Sequence, residues 1–308
     1  MVWKMIRKMI SRFNIVSGLI VISILLGWFV FKEERRQIIL ERKVGRETLE
    51  DIAGLLTVYS VYDANGPIKL VRNGRDGDGG YIVPEEALKQ ADALIGYGVA
   101  DDISFEEEFS NKYGKESYGF DCSVKSIDIK NKLTHFIPEC IGTDKFLYGN
   151  ARSSNITSFA QQLQNLNLVG KKLFIKMDIE GAEFEALPEI LKDAKDITGV
   201  TMEIHFYQRR DRVSNALKLL SLLEQDFFLV HAHGNNCCNT FTTKNSKGSV
   251  PRVLELSYIN KSLVLKAEVA KDQTHPTELD VPNVKSKEDR KFEIIVPGHE
   301  STNEISAN

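Results

Sequence analysis

Between residues 93 and 259, seven short apolar runs alternate with longer amphipathic stretches. Parallel strands need crossover connections, and helices both make the crossover and cover the sheet, so this alternation is the pattern of a mostly parallel sheet. The runs predict strands over 93–99, 117–122, 134–140, 172–179, 199–206, 227–232 and 253–259, and helices over 104–112, 157–166, 183–194 and 211–225. The expected fold class is α/β, a Rossmann-like, seven-stranded, doubly wound sheet. Ligands of such sheets bind beyond the carboxyl ends of the strands, and the chemistry is sought there.

The first run closes on Ile95-Gly-Tyr-Gly98 and leads into a helix. Gly96 and Gly98 permit a tight turn and a close approach of backbone to a ligand. Ser104 is placed to cap the helix, whose first amides would face that ligand. The second run ends on Asp121, roughly twenty residues past the glycine turn, where an acid accepts hydrogen bonds from both ribose hydroxyls of a nucleoside cofactor. A turn or helix-cap role is the alternative for Asp121. The third glycine slot of the dinucleotide pattern holds Asp101, which disfavours a pyrophosphate and suits an uncharged or cationic cofactor such as S-adenosylmethionine (SAM).

The fourth run ends Lys176-Met-Asp178, and Asp178, Glu180 and Glu183 cluster where it meets its helix. Glu203 and His205 stand two apart on the next strand and share one face, as do His231 and His233 on a later one. Two readings of this cluster stay open. Asp178 or His205 acts as general base for a hydroxyl, or Asp178, Glu203 and His205 hold a divalent cation that lowers the acceptor pKa. Against both stands a structural reading: Glu180 and Glu183 favour a helix N-terminus, and His231 and His233 are merely hydrogen-bonded. Asn236, in the turn after His233, is expected to line the acceptor pocket. Upstream, Arg72 and Asp76-Gly-Asp-Gly-Gly-Tyr81 form a glycine-rich acidic loop that either folds over the acceptor or is fixed by Arg72–Asp pairing.

Taken together these blocks resemble the FkbM-type methyltransferase family, in its animal branch of secreted or membrane-anchored methyltransferase-like proteins. The resemblance covers about residues 68 to 260. It rests on Gly96 to Glu106 (GYGVADDISFE), Phe120-Asp121, Met202-Glu-Ile-His205, the Arg72 loop and, most specifically, Ile175 to Glu183 (IKMDIEGAE). It implies a SAM-dependent methyltransferase sheet and O-methylation, often of sugar or polyketide hydroxyls. Carried onto this chain, it implies cofactor contacts from Gly96, Gly98, Asp102, Ser104, Glu106 and Asp121. It implies Asp178, His205 and Glu180 as catalytic residues, and Arg72, Asp78, Tyr81 and Asn236 around a glycan or other small polar acceptor. The acceptor itself does not carry over. A membrane glycosyltransferase using Asp76-Gly77-Asp78 as a metal and nucleotide-sugar motif is the rival class. A catalytically inactive module that keeps the fold is a third.

Residues 15–31 (IVSGLIVISILLGWFVF) carry no charge and are expected to be an uncleaved signal anchor, with a cleaved signal peptide as the alternative. A short basic tail (1–14) precedes it, and lysines and arginines flank both ends, so they do not fix its orientation. A stem (32–64), expected to be helical over 32–60, the catalytic domain (65–260) and a partly loose C-terminal extension (261–308) follow. Within that extension 292–296 is expected to return as a strand. The sequons at Asn155 and Asn260 favour a catalytic domain in the secretory lumen. Four cysteines permit disulfides, with a Cys122–Cys140 link between neighbouring strands or buried thiols as the options. A net charge of −3 and scattered basic residues argue against a nucleic-acid partner.

Overall fold

The computed structural model describes residues 55–142, 155–206, 210–242 and 249–293, all within a compact unit spanning Thr48–Asn308. The anchor expected at 15–31 and most of the expected stem lie outside the described residues. Among the described residues no helix is long and apolar enough to cross a membrane.

Seven strands form the central sheet: β1 (Ala93–Tyr97), β2 (Glu116–Phe120), β3 (Thr134–Ile137), β4 (Leu173–Met177), β5 (Ile197–His205), β6 (Phe227–Gly234) and β7 (Val253–Asn260). Their spatial order is β6-β7-β5-β4-β1-β2-β3. The first five run parallel, and β7 runs antiparallel to both of its neighbours, β5 and β6. This is the Rossmann-like arrangement that the alternating pattern predicts.

Five helices pack on the sheet: α1 (Glu85–Gln90), α2 (Ser104–Tyr113), α3 (Phe159–Asn165), α4 (Glu183–Ile190) and α5 (Arg210–Asp226). Successive strand residues point to opposite faces, so β1 sends Leu94 one way and Ile95 the other, and β4 does the same with Phe174 and Ile175. Ile95 and Ile175 meet Leu163, Leu187, Leu219 and Leu223 from α3, α4 and α5. Leu94 and Phe174 meet Leu88 of α1 and Phe105 and Phe109 of α2. Full burial of each such side chain contributes about 1.5–3 kcal/mol, which makes the two-sided sheet the main source of stability.

Three expectations need correction. The run at 134–140 is broken at Pro138, which has no N–H for a ladder; its end, Cys140–Ile141, pairs instead with Ile156–Thr157. The helix expected over 183–194 gives way to a tighter turn at Leu191–Asp196, with Pro188 in its last turn and Asp193 out of helical geometry. The end of the expected stem is a strand, Tyr59–Asp63, paired antiparallel with Lys266–Val269 from the extension expected to be loose. That extension is folded through residue 293: Phe292–Glu293 pairs with Thr274–His275, and Phe292 is buried. Apolar side chains near both ends of the described residues, Leu56, Val58, Val61 and Phe292, thus complete the core. Both cysteine pairs form disulfides, Cys122–Cys140 beside the end of β2 and Cys237–Cys238 after β6.

Candidate functional site

The site lies at the carboxyl ends of β1 and β4. From this switch point β1 connects outward to β2 and β3, while β4 connects the other way to β5, and the departing chains leave a crevice. Gly98 has φ +75°, and its N–H donates to the Phe120 carbonyl at 2.9 Å. A Cβ there would collide with the Asp178 carbonyl, and one on Gly96 would collide with the Glu106 carboxylate. The α-carbons of both glycines are thus approached closely by the protein's own groups, which leaves no room for a side chain at either position. Glu106 is 1% exposed and packs behind the turn, and neither carboxylate oxygen has a hydrogen-bond partner among the described residues. Burial pushes its carboxyl up to about 7.

Ser104 is not the cap of α2; it is the first residue of the helix. Ile103 is the cap residue of α2 and offers no side-chain bond, whereas Asp102 accepts both the Ser104 N–H and the Ser104 hydroxyl at 3.1 Å. Asp102 also pairs with Arg75 at 3.0 Å, and Ser104 Oγ accepts the Arg75 N–H, so both residues tie the upstream loop to α2. Asp121 stands at the end of β2 as expected. Its two oxygens accept the N–H groups of Ala100 (2.9 Å) and Ser123 (2.7 Å), which fixes the carboxylate across the glycine turn. The Cys122–Cys140 disulfide secures the next residue.

Asp178, Glu203 and His205 converge where β4 and β5 end, with ligand atoms all within 4.8 Å of one another. His205 is 1% exposed. Its Nδ1 lies 2.9 Å from Glu183 Oε1, and its Nε2 lies 3.0 Å from Glu203, 3.5 Å from Glu180 and 3.9 Å from Asp178. Glu180 adopts φ 55° and is largely exposed at the rim. Beneath Asp178 the buried Tyr81 hydroxyl donates to Oδ2 at 3.3 Å, so Tyr81 orients Asp178. Burial, reinforced by Glu203, pushes Asp178 up to about 7. Burial also raises Glu203, and burial raises the Tyr81 phenol with help from the Asp178 charge. Burial alone would lower the His205 imidazolium, but hydrogen bonds to Glu183 and Glu203 carry it up to about 11. His205 Nε2 is engaged by Glu203, whereas Asp178 is partly exposed at the mouth of the cluster.

Sequence reasoning missed Glu255. In the register of β5, β7 and β6, Glu203 stands opposite Glu255, which stands opposite His233. Two carboxylates directly opposed across strands repel, and both are buried. Their partners divide the load: Asn235 donates to Glu203 at 3.0 Å, and His233 Nδ1 lies 2.9 Å from Glu255. Asp78, Glu203 and Glu255 form a second set with metal-ligand spacing. The visible signal was Glu255 in the apolar run Val253-Leu-Glu-Leu256.

The acceptor-side residues are mostly engaged in holding loops. Arg72 donates to the carbonyls of Arg75, Gly77 and Gly80, with Asp76 at 3.7 Å. Asp76 is 75% exposed, so only Asp78 of the Asp76-Gly77-Asp78 triplet joins the cluster, which weakens the glycosyltransferase reading. Asn236 donates to the carbonyl of Val284 and accepts its N–H at 2.7 Å, so it anchors the C-terminal segment. That segment reaches the site: Asn283 donates to Glu255 at 2.5 Å and approaches Asp78 at 3.4 Å. His231 pairs with Asp280 at 2.9 Å and His233 with Asp289 at 3.0 Å, so both histidines tie β6 to the C-terminal segment.

No protein-family model and no curated protein matches the chain. Among solved structures it is similar to a Methanococcus jannaschii fibrillarin pre-rRNA processing protein, at 13% identity over 56% of this chain and 68% of that one, with a TM-score of 0.29. It is also similar to the plantazolicin methyltransferase BpumL in complex with SAH, at 10% identity over 84% of this chain and 98% of that one, with a TM-score of 0.25. At these values neither likeness bears on the argument.

Proposed function

We propose that this protein is a SAM-dependent methyltransferase of the FkbM type that methylates an oxygen of a carbohydrate or other small polar acceptor. The observation that carries the reading is the placement of Asp121 and of the Asp178–Glu203–His205 cluster around one crevice at the carboxyl ends of β1, β2, β4 and β5. Each Asp121 oxygen accepts one amide and retains lone-pair capacity for a ribose hydroxyl. When bound, SAM supplies an electrophilic methyl group on a sulfonium. The chain's own work is to align the acceptor oxygen and remove its proton. Asp178, steadied by Tyr81, faces the crevice for that purpose, and Glu180 stands exposed at the rim beside His205.

The donor set also fits a divalent cation. Two carboxylates and an imidazole suit Mn²⁺ or a related ion, and a positive charge relieves the repulsion of the partly buried Asp178 and the buried Glu203 and Glu255. Asp178, Glu203 and His205 would hold it, and bound there it would lower the pKa of the acceptor hydroxyl.

Calorimetry of the full-length protein with S-adenosylhomocysteine tests the cofactor assignment. Binding is expected, and Asp121→Ala should weaken it by about 2–4 kcal/mol, because two hydrogen bonds to a charged acceptor are lost. Undiminished affinity in that variant removes the ribose role; binding of a nucleotide sugar with Mn²⁺ instead would favour the glycosyltransferase class.

A further inference from the structure

The turn after β4 and the end of β5 are held together by one side chain. Glu183 is completely buried in the first turn of α4. Its Oε1 accepts the N–H groups of Ile179 (3.2 Å) and Gly181 (3.1 Å) and meets His205 Nδ1 at 2.9 Å. Its Oε2 has no partner among the described residues. An acid that served only the helix N-terminus would stay hydrated at the rim, as Glu180 does, since burying a carboxylate costs several kcal/mol unless it is paired. Glu183 is instead withdrawn from water with a single side-chain partner. The contact fixes the imidazole by its Nδ1–H and leaves Nε2 as the atom that faces Glu203, Glu180 and Asp178. A histidine that binds a metal through one nitrogen commonly donates its other N–H to a carboxylate, which sets the tautomer and raises the basicity of the ligating nitrogen.

We infer that Glu183 is a positioning residue for a divalent cation: it orients His205 Nε2 toward the cation held by Asp178 and Glu203, and it acts without touching the ion. The inference rests on the cation reading given above. Because the same oxygen also shapes the 178–181 turn, Glu183 sets two of the three ligands at once.

Titrating Mn²⁺ into the full-length protein, read by calorimetry and by the electron-spin resonance of free Mn²⁺, tests this without any methyl acceptor. Glu183→Gln keeps an acceptor oxygen for the amides and the ring N–H and removes only the charge. Its Mn²⁺ dissociation constant should rise about 10- to 100-fold, with S-adenosylhomocysteine affinity near wild type. Glu183→Asp, which keeps the charge and withdraws it from the ring, should fall between the two and serves if the glutamine variant does not fold. Wild-type binding with unchanged affinity in the folded variant overturns this inference alone. Absence of Mn²⁺ binding by the wild-type protein overturns the cation reading and this inference with it, and leaves the cofactor assignment to its own test.

Discussion

Gly98 shows how a single residue serves the site through packing. Its positive φ and the Asp178 carbonyl against its α-carbon leave no room for a side chain, and the obstacle is backbone. Gly98→Ala should therefore destabilise the protein by about 2–4 kcal/mol, combining left-handed strain with overpacking. Urea unfolding checks this; a loss under about 1 kcal/mol would mean that the β4 end moves aside at little cost. The sequons divide in a similar way. Asn155 is exposed, whereas Asn260 is 5% exposed and its amide donates to the Ala194 and Ile197 carbonyls. If the domain faces the secretory lumen, endoglycosidase should produce one mobility shift, and Asn155→Gln should abolish it. A cytosolic domain would show no shift with either protein.

At the scale of elements, the C-terminal segment decides the shape of the site's outer wall. It is held to β6 by buried ion pairs, among which His233 sits between Glu255 and Asp289. Burial alone would lower His233, yet hydrogen bonds to Asp289 and Glu255 push it up to about 10, so the cation is fixed at neutral pH. His233→Ala leaves the two carboxylates without it and should cost about 3–5 kcal/mol, the usual result of removing one partner of a buried pair. The companion expectation is faster proteolysis within 274–293 under native conditions. A variant with wild-type stability and protection would show that the segment is held by its apolar contacts and by Asn236.

For the whole molecule, the charged interior sets the pH dependence of folding. Asp178 and Glu106, each at about 7, have folded pKa values above the unfolded carboxyl range, and His233 and His205, at about 10 and 11, lie above that of unfolded histidine. Each of these groups takes up a proton on folding. Its contribution is complete below its unfolded pKa and is lost as pH rises through the folded value. His275 opposes them: burial and the neighbouring His231 lower it to about 4, so its contribution grows between that pH and the unfolded histidine value. Asp280 is also lowered, through His231, and stabilises above the unfolded carboxyl range. The urea midpoint should therefore fall steadily from pH 7 to 10 in the absence of divalent cations. A flat profile there would mean that His205 and His233 are neutral in the folded protein.

The parallel sheet and the residues at its strand ends were legible from the amino-acid order alone. Hydrophobic period and turn residues are local properties, and Asp121, Asp178, Glu203 and His205 owe their positions to the strands that carry them. Local pattern has no bearing on what lies opposite. Only the insertion of β7 between β5 and β6 set Glu255 against Glu203 and His233, a register between strands some fifty residues apart in sequence for one pair. Only packing revealed that Gly96 accommodates Glu106, that Asn236 anchors the C-terminal segment and that Asn260 is sealed inside. Those outcomes depend on which surfaces meet after the chain has folded, and nonlocal contact of that kind is decided by tertiary structure.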